Sequence, residues 1–363
     1  MRMGLILSIG ESFSDLKKHG QDVLVRDHNL KAYSAVFEKV YVFSYANEKF
    51  PLFENCHLIT NRFNLHRFFY SILMPIIRYK EFKDCDVLRG FQITGGIPCA
   101  VAKILFKKPF VVNYGYDYPA IAEIEGHPIT AIFYRIISRI ILPMADSVIV
   151  TNKTFVKYVK QVGAKNINVI PNSVNTRQFS PKPLKTKRAV TEILFVGRLE
   201  SQKNILNMLQ ALKNIKHKYR LQIIGIGSQK KELQSYALQN SINAIFIDFI
   251  PHDELPRIMR NSDIFILPSI KEGNPKVLIE AMATGLACVA TNVEGIREVI
   301  KNEKTGILIE TEPKSIEAGI EKLFTNPKLA QKIGENARSY ALSHFNASNL
   351  LKKEIKLLKS LVQ

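Results

Sequence analysis

Short apolar runs alternate with helix-patterned segments through nearly the whole chain, and the alternation is laid down twice, on either side of a proline- and lysine-rich stretch. In the first half, strand-like runs are expected at Leu5–Ile9, Val40–Ser44, His57–Thr60, Asp86–Phe91, Phe110–Tyr114 and Ser147–Thr151. Helical patterns fall between them at Leu30–Phe37, Arg67–Tyr79, Ile97–Lys107 and Ile129–Met144. The second half repeats this grammar, with strands expected at Glu192–Val196, Leu221–Gly225, Ala244–Asp248, Ile264–Leu267, Ala287–Thr291 and Gly306–Ile309. Strands separated by helices pair in parallel, because the crossover helix carries the chain back to the same end of the sheet. The pattern predicts an α/β chain of two Rossmann-like, doubly wound parallel-sheet domains. A length of 363 residues is ample for two cores.

Asn172 to Thr191 has little apolar periodicity and holds Pro181, Pro183 and the basic cluster Lys185-Thr186-Lys187-Arg188, so it reads as the linker. The expected division is an N-terminal domain at 1–175, a second domain at 176–345 and a C-terminal helix at 346–363. That helix carries Leu351, Ile355, Leu358 and Val362 at core spacing and can return to the first domain. Ligands of open α/β sheets bind beyond the carboxyl ends of the strands, which places the expected site in the cleft between the domains.

A formal net charge of +19 demands an anionic partner: nucleic acid, membrane or a phosphorylated small molecule. The lysines are spread along the chain, with no zinc finger, RNP signature or aromatic-interleaved basic tract, so no nucleic acid is expected. Cys56, Cys85, Cys99 and Cys288 lie far apart and read as buried reduced thiols of a cytoplasmic protein. The opening apolar stretch is too short for a signal peptide and reads as a first strand. The longest apolar run, Ile129 to Ala145, is broken by Arg135 and Arg139 and does not reach the roughly 18 residues of a membrane span.

The strand Ile264–Leu267 ends at Pro268-Ser269, and a polar loop with Glu272 and Gly273 follows. Asn274 is expected as N-cap, Pro275 as the first helical residue and Gly285 as the closing C′ residue. The amides of Lys276, Val277 and Leu278 would then face outward unpaired, a helix end that attracts phosphate. Glu272 in the loop and Glu280 along the helix suggest a site that holds both ends of a sugar nucleotide.

Four pieces occur together in order: Glu272 and Glu280 as E-x7-E; Phe195-Val196-Gly197-Arg198-Leu199 with Lys203-Asn204; Val169 to Pro181; and Cys288 to Ile300. In these motifs the chain resembles the family-4 glycosyltransferases (glycosyl transferases group 1), retaining enzymes of the two-domain GT-B architecture. The resemblance implies transfer of a hexosyl unit from a nucleotide-diphosphate sugar, with UDP or GDP as its base carrier, to a glycan or lipid-linked acceptor. Surface polysaccharide or lipopolysaccharide assembly is the implied setting. By the same resemblance Arg198 and Lys203 bind the diphosphate, Glu280 the ribose, and Glu272 the donor sugar. Glu272 is open as nucleophile, electrostatic stabiliser or positioning group. Gly197, Gly273, Asn274, Pro275, Lys276 and Val277 would complete the donor site.

Plainer readings stand beside these: a solvated basic turn for Arg198 and Lys203, and a salt-bridged surface carboxylate for Glu280. The Ile224-Gly225-Ile226-Gly227 loop lacks the third glycine of a dinucleotide fingerprint, since Lys230 stands there, but it resembles a family loop that lines the nucleotide pocket. The backbone at Ile250 is where such proteins meet the base, and His252 reads as capping or decorating the next helix. In the first domain Tyr114 replaces the family's histidine near the reacting sugar and is expected among the substrate-binding residues, while Asp117 suits acceptor binding, orienting a hydroxyl, or an Asx-turn. Gly10 would let acceptor or phosphate approach the backbone, without the family's paired glycines. Asp84-Cys85-Asp86 matches a D-x-D metal motif but precedes its strand, and no cluster has ligand spacing, so no metal cofactor is expected. The rivals are a degenerate sugar-nucleotide binder without turnover and a GT-B-fold epimerase.

Arg62 to Lys83 mixes Phe68, Phe69, Ile72, Leu73 and Ile76 with Arg67, Arg78 and Lys80, and Ile129 to Leu142 is similar in kind. Such helices usually pack on their sheet; the other reading is that they lie on an anionic membrane. A cytoplasmic location, with peripheral attachment to the membrane's cytoplasmic face, accommodates both.

Overall fold

A computed structural model describes residues 1–18, 20–181 and 189–362. The basic cluster at 185–188 lies outside the described residues. The chain divides into two compact units: one comprises 1–119, 128–171 and the segment from Ser348 onward, the other 120–127 and 172–347.

The first unit holds seven strands: β1 (Arg2–Ile6), β2 (Lys39–Phe43), β3 (Cys56–Ile59), β4 (Val87–Gly90), β5 (Phe110–Tyr114), β6 (Ser147–Val150) and β7 (Ile167–Val169). Their order is β3-β2-β1-β4-β5-β6-β7, all parallel. Alternation along the strands shows why helices cover both faces. Tyr41, Phe43, Phe110 and Val112 enter a core with Tyr70, Met74 and Ile141 from helices, while Val40, Val42 and Val111 enter another with Phe13, Tyr33 and Leu358.

The second unit holds β8 (Thr191–Val196), β9 (Tyr219–Ile224), β10 (Ala244–Ile247), β11 (Ile264–Leu267), β12 (Ala287–Thr291) and β13 (Ile307–Ile309). These are again parallel, in the order β10-β9-β8-β11-β12-β13, around a single core. All twelve expected strands are present to within a few residues. The strand β7 was not expected, because three residues beside the proline-rich stretch carry too little pattern. The helix expected at Leu30–Phe37 is instead a π-helical segment Leu24–Leu30 followed by Lys31–Ser34.

The helix Ala347–Ser360 is tied into the first unit by charge as well as packing. Arg89 Nε donates to Glu354 Oε1 at 2.6 Å, and the Tyr33 hydroxyl donates to the same oxygen at 2.8 Å. All three residues are buried. Burial works against the Arg89 charge, yet Glu354 and Tyr33 leave its pKa raised. Asp86 and Asp84 secure the opposite end of the same sheet: Asp86 Oδ2 accepts from the Arg2 amide at 2.7 Å, and Asp84 takes the Arg2 guanidinium and the Tyr41 hydroxyl. All four cysteines are free and buried, and burial pushes the Cys56 thiol up to about 11. Among the described residues no helix is long and apolar enough to cross a membrane.

Candidate functional site

In the second unit the strand order reverses at β8: β9 lies on one side of it and β11 on the other. Loops leaving β8 and β11 therefore diverge, and the crevice opened between them is where a doubly wound sheet takes its ligand. The loop after β8 carries Gly197 and Arg198, then a short turn Ser201–Lys203; the loop after β11 carries Ser269 to Asn274. Lys203 Nζ spans this gap to Glu272 Oε1 at 2.5 Å, and the Ser269 hydroxyl donates to the same oxygen at 2.7 Å. Both charges are largely withdrawn from solvent, so each needs the other. Gln202 Nε2 donates to the Lys271 carbonyl at 2.5 Å and braces one loop against the other.

Arg198 is more open. Its guanidinium lies 2.9 Å from Glu125 Oε1 and reaches Gln202 Oε1 at 3.4 Å. Lys203 closes its turn rather than opening a helix, since Asn204 adopts a left-handed conformation (φ 55°) and the helix begins at Ile205.

The glycines of the neighbouring β9 loop have a packing cause. Gly225 has φ +148°, and a Cβ there would stand 1.9 Å from the Gly197 carbonyl oxygen; one on Gly227 would stand 2.3 Å from that of Leu199. Backbone bonds Gly197 N→Ile224 O and Leu199 N→Ile226 O zip the loops together. Gly225→Ala is therefore expected to displace the Arg198 loop, destabilise the protein by more than about 2 kcal/mol and weaken nucleotide binding. Chemical denaturation and a nucleotide titration check this; an unchanged midpoint and affinity refute it. In the same way Gly295 lets its helix abut the Glu272 and Gly273 carbonyls.

The helix after β11 runs Lys276–Ala283 and ends as expected: Gly285 has φ +77°, with Leu286 N→Ala281 O and Gly285 N→Met282 O closing it. Its start differs. Pro275, in extended conformation, occupies the cap position and the cap has no side-chain bond. Asn274 Oδ1 instead accepts from the Asn172 amide at 2.8 Å, while Asn172 Nδ2 donates to the Asn274 carbonyl at 2.5 Å. The Leu278 amide is not available to a ligand, because it donates to the Pro275 carbonyl at 3.2 Å. That leaves Lys276 and Val277, both half-buried, to present amides at this end. Desolvation lowers the Lys276 pKa, with Glu280 opposing it.

Glu280 is buried and pairs with His252, Nε2 to Oε1 at 2.8 Å. His252 thus does not decorate a helix: it leans on Phe179 (centroids 5.3 Å apart) and orients the carboxylate. Its buried Nδ1 has no partner among the described residues. Ile250, half-buried after β10, lies just ahead of it. His252, Gln202 and Glu125 carry no local signal, because each meets its partner only through folding. Arg338 is a fourth such residue, donating to the carbonyls of Thr176, Phe179 and Ala283.

In the first unit Gly10, Tyr114 and Asp117 all lie at the carboxyl ends of β1 and β5. Gly10 has φ +76° and faces Arg67. Asp117 is half-buried. The Tyr114 ring is 1% exposed, stacked on Tyr158 and edge-on to Phe155, so its side chain packs in the core of this unit. Among the described residues no group of three or more His, Cys, Asp or Glu is placed to hold a metal ion.

Residues 176–340 match the sequence family described as glycosyl transferases group 1. An uncharacterized glycosyltransferase of Methanocaldococcus jannaschii is 27% identical over 355 residues, 93% of this chain and 86% of that protein. The UDP-Gal:alpha-D-GlcNAc-diphosphoundecaprenol alpha-1,3-galactosyltransferase of Escherichia coli is 32% identical over 202 residues, 51% of this chain and 52% of that protein. Among solved structures, sucrose-phosphate synthase from Thermosynechococcus elongatus superposes with a TM-score of 0.86 at 20% identity, covering 99% of each chain. The match to the glycosyl transferases group 1 family thus covers residues 176–340, within the second unit, and the two parallel-sheet units have the GT-B fold.

Proposed function

We propose that the protein is a retaining hexosyltransferase that takes its sugar from a nucleotide diphosphate, UDP first and GDP second, and delivers it to a glycan or lipid-linked acceptor. The observation that carries the reading is the Lys203–Glu272 pair across the gap between β8 and β11. As the glycosidic bond breaks, the departing diphosphate gains charge, and Arg198 and Lys203 favour that charge over the ground state. Lys276 and Val277 add amide donors, and Glu280, oriented by His252, is assigned to the ribose. Glu272 Oε1 is already shared by an ammonium and a hydroxyl, which blunts it as a nucleophile and suits it to hold a donor-sugar hydroxyl. The acceptor oxygen then bonds to the anomeric carbon on the face the leaving group vacates, and its proton passes to a phosphate oxygen. No metal cofactor is assigned a role. Gly10 and Asp117 are assigned to the acceptor.

UDP is favoured because the Escherichia coli relative is named for a UDP-sugar and for a lipid-diphosphate acceptor. Surface-glycan assembly at the cytoplasmic face of a membrane is our reading of the setting, and a lipid-linked acceptor such as the one in that relative's name is compatible with it. Labelled UDP-, GDP- and ADP-sugars separate the readings. Turnover of one donor, with the released or transferred sugar keeping its anomeric configuration by NMR, is expected. Nucleotide binding without turnover of any donor would instead establish a degenerate binder.

A further inference from the structure

The first unit leaves one side of two helices bare. The helix Arg67–Ile77 buries Tyr70, Ser71 and Met74 and turns Phe69, Ile72 and Ile76 outward. The helix Pro128–Met144 buries Ala131, Ser138 and Ile141 and turns Ile132, Ile136 and Ile140 outward. These six outward side chains are each between 50% and 66% exposed. Packing on the sheet, the usual cause of such patterns, does not account for them. The helices meet edge-to-face through Phe68 and Phe133, centroids 5.7 Å apart, so the bare sides adjoin as one apolar surface.

Charge narrows what can cover it. Neither helix contains Asp or Glu, whereas Arg67, Arg135 and Arg139 are exposed along them. A second copy of the chain would set these cations against their own counterparts. An anionic bilayer answers both demands: isoleucine and phenylalanine enter the boundary between headgroups and acyl chains, and the arginines meet lipid phosphates. We infer that the surface formed by the helices 67–77 and 128–144 docks the first unit on an anionic membrane. It lies in the same unit as Gly10 and Asp117, and Arg67 itself packs at Gly10 and over Phe68, so a headgroup held there borders the carboxyl end of β1. The docking stands whether or not the donor chemistry proposed above is correct.

Flotation of the full chain with vesicles tests it. Co-flotation is expected with phosphatidylcholine–phosphatidylglycerol vesicles at low salt, and its loss with pure phosphatidylcholine or at high salt. F69E/I136E is expected to abolish it. R135E/R139E, which leaves the apolar surface intact, is expected to weaken partitioning by about tenfold or more. L238E, an exposed leucine of the second unit, should float as wild type. Circular dichroism reports whether each variant is folded. Absent flotation of the wild type, or equal flotation of F69E/I136E, overturns the inference. So does a dimer by sedimentation velocity that F69E/I136E dissociates while wild type ignores the vesicles, since the surface would then face a second copy.

Discussion

Arg198→Ala is expected to lower kcat by about 10²–10³-fold while changing the affinity for a nucleoside monophosphate little. The reasoning is differential. A monophosphate lacks the group that becomes the leaving charge, so it does not use the guanidinium, whereas the transition state does. Arg198→Lys keeps the charge but loses the planar fork and should recover only part of the rate. Glu125 and Gln202 hold the side chain in place, so the group does not have to be ordered from solvent when donor binds. Steady-state kinetics with the active donor decides the matter. A loss confined to KM, or smaller than about fivefold in kcat, would mean that Arg198 contributes only uniform binding.

Glu354→Ala should be the most destabilising single change outside the site. Removing the carboxylate strands the Arg89 guanidinium in the interior of the first unit, where, among the described residues, the Gly90 carbonyl at 2.6 Å and Asn113 Oδ1 at 3.1 Å remain as acceptors. Breaking a buried ion pair in this manner costs about 3–5 kcal/mol, and for a unit of this size roughly 10 °C in Tm. Tyr33 would lose its acceptor as well. The compensated double variant Arg89→Met, Glu354→Leu removes both charges together and is expected to be far milder. Urea denaturation of wild type, single and double variants measures the difference. A single variant within about 1 kcal/mol of wild type would show that water reaches and solvates the arginine.

How much of this could be read from the sequence depends on the range over which each signal acts. Ile264–Leu267 and Ala287–Thr291 were legible to the residue because apolar runs bounded by turn residues are local signals. The Gly285 closure was legible for the same reason. Arg198, Lys203, Glu272 and Glu280 could be nominated from motif order, and folding brings Lys203 to Glu272 across 69 positions of sequence. What escaped was pairing between distant segments of equal plausibility. Nothing near Asn274 signals that it would engage Asn172 in preference to its own helix. His252 gives no sign of choosing Glu280, nor Glu354 of choosing Arg89, 265 positions away.

The return of the helix Ala347–Ser360 also governs the order in which the protein can be completed during synthesis. Residues 172–347 hold nearly everything the second unit needs and emerge from the ribosome as one stretch. The earlier-made unit must wait, with Arg89 uncompensated and the Leu358 side of its core uncovered, until the segment beyond Ser348 is released. A nascent chain stalled shortly before that point would thus present a finished later unit beside an unfinished earlier one, and the span of exposure to chaperones and proteases would fall on the half that was translated first.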